Sequence, residues 1–283
     1  DRPQKGRFRQ FVQCDIDILG DATNLAEIEL ILATTTLLGR LDFHDFTVRI
    51  NDRRMLKAMA EYAGFAESDF DRIFIILDKM DKIGLDGVES ELIENGFDTQ
   101  KVKTYCGLFQ EECTGVGGVK KMQEILSGSL DPAISDNLIT IMETVESVRK
   151  AQFKLVFDPT LVRGMSYYTG TIFEIGMDAF CSSVAGGGRY DDMIGRFSGQ
   201  KTCACGFSIG FERIITILME QDFKVNANNR KYAFLIEKGA SRERIAEVMK
   251  EADDLRQKGD RVMIAQMNKN RKFQKEQLIK EGY

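Results

Sequence analysis

The chain has 283 residues, 43% hydrophobic and 29% charged, which is enough apolar material for a buried core and excludes a disordered polymer. A formal net charge of −5 excludes a global basic field for nucleic acid, so any RNA partner has to be held by a local patch. No apolar run approaches the ~18 residues of a membrane span and no signal peptide is visible. One histidine, and six cysteines without paired CxxC spacing, exclude His-rich and ordinary zinc sites and point to reduced thiols in a cytosolic protein.

The chain opens on "DRPQKGRFRQFVQCDIDILG" (Asp1 to Gly20), a basic glycine-containing turn with Lys5, Gly6, Arg7 and Arg9, running into a strand. At a period of two, Val12, Cys14, Ile16 and Ile18 share an apolar face expected to meet a core, and Phe11, Gln13, Asp15 and Asp17 share the other. That second face reads in two ways. It is either a solvated edge beside a charged hairpin, or a place where carboxylates meet a zwitterion or imidazole and arginines meet a polyphosphate. Helical spacing follows from Asp21 to Leu41, then a strand at "DFTVRIN" and a helix from about Asp52 to Tyr62. Residues 68–150 are rich in helix formers, with "LDKMDKIG" and "GVGGVKKMQEIL" marking helix ends and turns, and read as a helical insertion between two pieces of one sheet.

Strand signals return at "LVRGMSYYTGTIFEIGM" (Leu161 to Met177), "SVAGGGRYDDMIGRF" and "CACGFSIGFERIITILME". Beyond the polar "DFKVNANNRK", a strand "YAFLIE", a helix from Ser241 to about Lys258, a strand "RVMIAQM" and a basic helix from about Lys269 form one β/α unit. The expected divisions are 1–67, 68–150, 151–222 and 223–283.

Three segments carry possible chemistry. In "RGMSYYTG", Arg163 precedes Tyr167 and Tyr168, which on an extended segment point to opposite faces; one then packs and the other donates into a pocket, or both are core. In "AGGGRYDD", three glycines before Arg189 and Tyr190 permit close approach of a ligand to backbone, or simply a tight turn. The triplet fits neither the P-loop nor the dinucleotide fingerprint. In "CGFSIGFERI", Gly206 and Gly210 precede Glu212 and Arg213 at a helix start, where Arg213 can reach a phosphate or stack on a base, or pair with Glu212 in water.

In order and spelling these segments together resemble histidyl-tRNA synthetase, a class II aminoacyl-tRNA synthetase family. The first strand and its loop look like the family's motif 2, "LVRGMSYYTG" like its histidine signature, "AGGGRYD" like the glycine-rich companion and "GFSIGFER" like motif 3. The resemblance implies an α+β fold: a six-stranded antiparallel catalytic sheet flanked by helices, with a helical insertion and a partial C-terminal α/β anticodon-binding domain. It implies ATP-dependent activation of L-histidine, with Mg2+ accompanying ATP, and transfer to histidine tRNA by a cytoplasmic homodimer without a membrane association.

By motif position, Arg7 is expected on the outer phosphates of ATP, with Phe11 and Arg213 on either side of adenine. Gln13 and Arg163 are expected on the histidine carboxylate, with Arg163 also the catalytic cation at the α-phosphate. Asp17 and Tyr168 are expected on the two imidazole nitrogens, and Tyr190 in the wall of the amino-acid pocket; no resident metal is expected. Ser166 stands where the family commonly has Asp or Asn. Motif 1, the upstream motif 2 arginine and the segment that meets the α-amino group are not in the sequence, which therefore reads as an excerpt of a longer protein. Two other readings share the resemblance: a histidine-sensing relative such as the regulatory subunit of ATP phosphoribosyltransferase, and a synthetase-like domain of an RNA-sensing kinase regulator.

Overall fold

The computed structural model describes residues 9–110, 114–163, 167–177, 180–223 and 230–283, and the side chains of these except 180–182. It divides into two compact units, Asp1–Glu220 and Gln221–Tyr283. In the first, β1 (Gln13–Leu19), α1 (Leu25–Arg40), β2 (Phe46–Asp52) and α2 (Arg53–Tyr62) lead into five helices. These are α3 (Phe70–Leu77), α4 (Met80–Glu94), α5 (Thr99–Gly107), α6 (Gly115–Ile125) and α7 (Pro132–Val148). The chain returns through β3 (Phe153–Phe157), β4 (Thr171–Met177), β5 (Phe180–Arg189), α8 (Asp191–Ser198), β6 (Ala204–Gly210) and α9 (Phe211–Glu220).

Local chemistry sets the helix starts. Asp52 accepts from the Arg54 N–H at 2.8 Å, Asp98 from those of Gln100 and Lys101, and Asp131 from that of Ala133 with Pro132 in the first turn. Gly84, at φ 67°, breaks α4 near its beginning, where the sequence pattern places a helix end.

The six strands form one sheet in the order β1-β6-β5-β4-β2-β3. Every adjacent pair is antiparallel except β2 and β3, which run parallel because α2 to α7 carry the chain back to the same end. The expected wholly antiparallel sheet is corrected at that edge. One face carries Phe207, Ile209, Phe173, Ile175, Val48 and Ile50, all buried, with α1 and α7 against it. This face holds the core.

Three expectations are revised. First, β1 is an edge strand paired with β6, and Val12, Cys14 and Ile16 remain exposed; of the apolar row Ile18 alone packs on the core. Second, the glycine triplet is not a turn, since it lies inside β5 between β4 and β6. Third, the strand expected over 161–177 begins at Thr171; residues 161–163 lie outside any strand.

In the second unit, β7 (Lys231–Ile236), α10 (Arg242–Gln257), β8 (Arg261–Gln266) and α11 (Arg271–Lys280) make a parallel β-α-β unit with one further helix. Ser241 caps α10 through the Arg244 N–H and Asn270 caps α11 through that of Phe273. Val248 and Ala252 are its buried apolar side chains among the described residues. No helix among the described residues is long and apolar enough to cross a membrane.

Candidate active site

Strand register builds the second face of the main sheet. Arg49, Glu174, Gly186, Ser208 and Asp15 are directly opposed from β2 across to β1, so their Cβ directions agree. Two residues away along each strand the same face holds Gln13 and Asp17, Gly206 and Gly210, and Gly188. Glycine at alternate positions of β5 and β6 leaves bare backbone, and neighbouring side chains lie on it. A Cβ at Gly186 would stand 2.4 Å from the Arg163 Cζ, and one at Gly206 would stand 1.9 Å from the Asp17 Oδ1. At Gly188 it would meet the Tyr168 ring at 3.0 Å, and at Gly210 the Arg213 Cδ at 3.1 Å. The glycines thus form a floor for the residues that the sequence pattern singles out.

On that floor the polar groups converge. The Tyr190 hydroxyl donates a short hydrogen bond to Asp17 Oδ1. Tyr167 stands edge-on to Tyr190 with ring centroids 6.1 Å apart, and its hydroxyl donates to that of Tyr168 at 3.1 Å. The two adjacent tyrosines therefore share one side, with centroids 4.4 Å apart, and the alternation expected for them fails because residues 167–169 are not in a strand. Burial raises the Tyr168 phenol well above the ordinary range, with Arg163 opposing. Burial and the Asp17 carboxylate do the same for Tyr190. Both stay neutral donors at neutral pH.

Gln13 donates from Nε2 to the Ser208 hydroxyl at 2.9 Å, which fixes its amide along the face. The Val12 N–H donates to Glu212 Oε1 at 2.6 Å, tying the end of β1 that carries Phe11 to the start of α9. Phe11 is 58% exposed there, and Arg213 on α9 donates to the Ser183 carbonyl. Phe11 and Arg213 are thus brought to one end of the β1 and β6 strands. Arg7 lies outside the described residues, as does Ser166.

The segment that carries Arg163 is held by residues absent from the sequence-based site. Buried Asn51 donates from Nδ2 to the Pro159 and Leu161 carbonyls at 3.3 and 3.1 Å. Asp158 accepts from the Thr160 N–H and hydroxyl, and its second oxygen accepts from Arg49 Nε at 2.5 Å. Glu174 accepts from Arg163 Nη1 at 2.5 Å. Burial, then the Glu174 carboxylate, raises the nearby Asp78 carboxyl, with Arg163 opposing. The register signal that could have found Glu174 and Ser208 is their direct opposition to Gly186, which requires knowing the strand order.

The protein-family model described as histidyl-tRNA synthetase matches residues 1–214. The histidine--tRNA ligase of Leifsonia xyli subsp. xyli is 48% identical over 222 residues, 77% of this chain and 51% of that protein. The histidine--tRNA ligase of Korarchaeum cryptofilum is 33% identical over 285 residues, the whole of this chain and 64% of that protein. The chain thus spans about half the length of the first curated relatives it matches. Among solved structures, histidyl-tRNA synthetase from Nostoc sp. PCC 7120 superposes with a TM-score of 0.69 at 24% identity, over 97% of this chain and 65% of that one. An ATP phosphoribosyltransferase regulatory subunit/histidyl-tRNA synthetase from Bacillus halodurans C gives 0.64 at 22% identity, over 91% and 63%. These two likenesses concern the fold. The family model covers most of the first unit, whose mixed sheet flanked by helices agrees with it, and the chain belongs to the histidyl-tRNA synthetase family.

Proposed function

We propose that the full protein is a histidine--tRNA ligase: it condenses L-histidine with ATP to histidyl-adenylate, releasing pyrophosphate, and passes the histidyl group to the terminal adenosine of histidine tRNA. The observation that carries this reading is the convergence of Gln13, Asp17, Arg163, Tyr168 and Tyr190 over the bare backbone of β5 and β6. Asp17 as acceptor and Tyr168 as neutral donor satisfy the two nitrogens of an imidazole in one tautomer. A substrate lacking those nitrogens would leave buried polar groups unpaired, which discriminates by roughly 10⁴ or more.

Gln13 and Arg163 hold the histidine carboxylate, and Tyr190 fixes Asp17 and lines the amino-acid pocket. A carboxylate oxygen attacks the α-phosphorus, and the bond to the bridging oxygen breaks as pyrophosphate leaves with the electron pair. The carboxylate is already the nucleophile, so no strong general base is needed. Catalysis rests on in-line positioning and on cations aimed at the charge that develops. Arg163 supplies one such cation, Arg7 is assigned to the outer phosphates, and Phe11 with Arg213 to the adenine. Mg2+ arrives as part of the ATP substrate. The second unit is read as part of an anticodon-binding domain, and the whole protein as a cytoplasmic homodimer.

Histidine-dependent ATP–pyrophosphate exchange by the full-length protein tests this reading. Arg163→Ala is expected to slow exchange at least about 100-fold, with a smaller loss of histidine affinity. Histidine binding without exchange in the wild type would point to the sensing relative instead, and exchange unchanged by Arg163→Ala would remove Arg163 from the mechanism.

A further inference from the structure

A row of alternating charges runs across the polar face beside the proposed histidine pocket. Asp81, at the start of α4, accepts from Arg49 Nη1 at 2.7 Å, and Arg49 Nη1 lies 3.5 Å from Glu174 Oε1. The other oxygen of Glu174, Oε2, receives Arg163 Nη1 at 2.5 Å. Arg49 is further fixed by Asp158. Both Arg49 and Glu174 are largely buried, at 19% and 16% side-chain exposure, so neither samples many rotamers.

Resting on the synthetase reading, we propose that Glu174 is a positioning residue that sets the guanidinium of Arg163 flat on the backbone of Gly186, with Arg49 as its anchor. Glu174 and Gly186 are directly opposed in the β4–β5 ladder, so the carboxylate rises beside the bare spot where the guanidinium rests. Arginine presents five N–H donors in a rigid fork. Occupying Nη1 from one side orients that fork, whose other N–H groups are shared between the Tyr168 hydroxyl and a substrate oxygen. Arg163 lies outside any strand, and without such a partner its long side chain would sweep over the face. The role of Arg49 is to keep Glu174 from turning away, through an attraction that needs no contact with substrate.

Glu174→Gln keeps the size and an acceptor oxygen but removes the charge. In the full-length protein this variant is expected to lower kcat for pyrophosphate exchange about 10- to 100-fold, as for a small misplacement of a catalytic group, with KM for histidine within about 3-fold of wild type. Glu174→Asp should recover part of the loss. Because Glu174 acts through Arg163, the double variant Arg163→Ala/Glu174→Gln should be no slower than Arg163→Ala alone. Glu174→Gln within about twofold of wild type, or losses that multiply fully in the double variant, would overturn the proposal.

A wild type without exchange would be a failure of the synthetase reading, and the pair is then decided by nitrogen NMR of the Arg163 guanidinium in the full-length protein. Hindered rotation that becomes fast in Glu174→Gln upholds the positioning role. Equal mobility in both overturns it.

Discussion

At the scale of single residues, Gly186 and Gly187 look equivalent in the sequence and face opposite surroundings in the sheet. A Cβ at Gly186 would meet the end of the flexible Arg163 side chain, with Cζ and both Nη atoms between 2.4 and 2.7 Å. A Cβ at Gly187 would meet the Gly206 carbonyl oxygen at 2.0 Å and the Phe173 ring at 2.7 Å, inside the core. A side-chain tip can swing away, whereas a paired strand backbone cannot. Gly186→Ala should therefore fold with near-normal stability yet lower exchange on the order of 100-fold, because Arg163 is displaced. Gly187→Ala should lose about 1–3 kcal/mol or more to overpacking. Urea denaturation of both variants, with exchange assayed on Gly186→Ala, checks the pair; equal destabilisation, or a fully active Gly186→Ala, would contradict the glycine floor. Alternation alone put Gln13 and Asp17 on one face in the sequence. Glu174 stayed hidden because "FEI" is an unremarked strand fragment until β5 is laid beside it.

At the scale of elements, the end of β5 is joined to α1 through one arginine. Arg189 donates from Nε and Nη2 to the two oxygens of Glu27 at 2.7 and 2.6 Å, and to the Asp21 and Thr23 carbonyls at 2.9 and 2.6 Å. Glu27 is 1% exposed, and its carboxylate raises the already high guanidinium pKa. Removing Glu27 leaves the buried guanidinium with Asp191 at 3.2 Å and the two carbonyls as its remaining partners, so Glu27→Ala is expected to cost at most about 3–5 kcal/mol. Arg189→Met on that background should restore much of the loss, since a pair replaced by apolar groups is often near neutral. Chemical denaturation of the single and double variants measures both, and a cost under about 1 kcal/mol for Glu27→Ala would mean that the pair is solvated. Helical periodicity and caps made α1, α2 and α10 legible in the sequence. The strand order was not legible, because pairing of β1 with β6 joins the first and last strands of the sheet, and no local pattern encodes that. The same gap hid the parallel β2–β3 pair and made the edge strand β1 read as half-buried.

At the scale of the molecule, several acids of the first unit are buried where their charged forms are costly. Burial raises the Tyr105, Tyr168 and Tyr190 phenols and the Cys205 thiol well above their ordinary values, and pushes the Cys106 thiol up to about 11. In the unfolded chain the thiols ionise near pH 8.5 and the phenols near 10, at about the reference values. Above those pH values the unfolded state has released protons that the fold still holds. It therefore binds fewer protons, and stability falls as pH rises, while below about pH 8 the full contribution is present. Each enclosed group of this kind, Tyr105 above all, removes about 1.4 kcal/mol for every pH step over which it is ionised unfolded and neutral folded, and the partly exposed Tyr190 removes less.

The expected outcome is a melting temperature of the first unit that is level up to about pH 8 and declines steeply from there to 11. Tyr105 identifies the source. It is fully enclosed, packed edge-on against Phe65 and Phe109 at 5.8 and 5.1 Å, and its hydroxyl has no hydrogen-bond partner among the described residues. Tyr105→Phe removes a buried unsatisfied group and should be neutral or stabilising at pH 7. It also removes one titrating acid, so the decline between pH 10 and 11 should be shallower than in wild type. A wild-type melting temperature unchanged from pH 8 to 11, or an unaltered slope in Tyr105→Phe, would mean that this helical core admits water around the phenol.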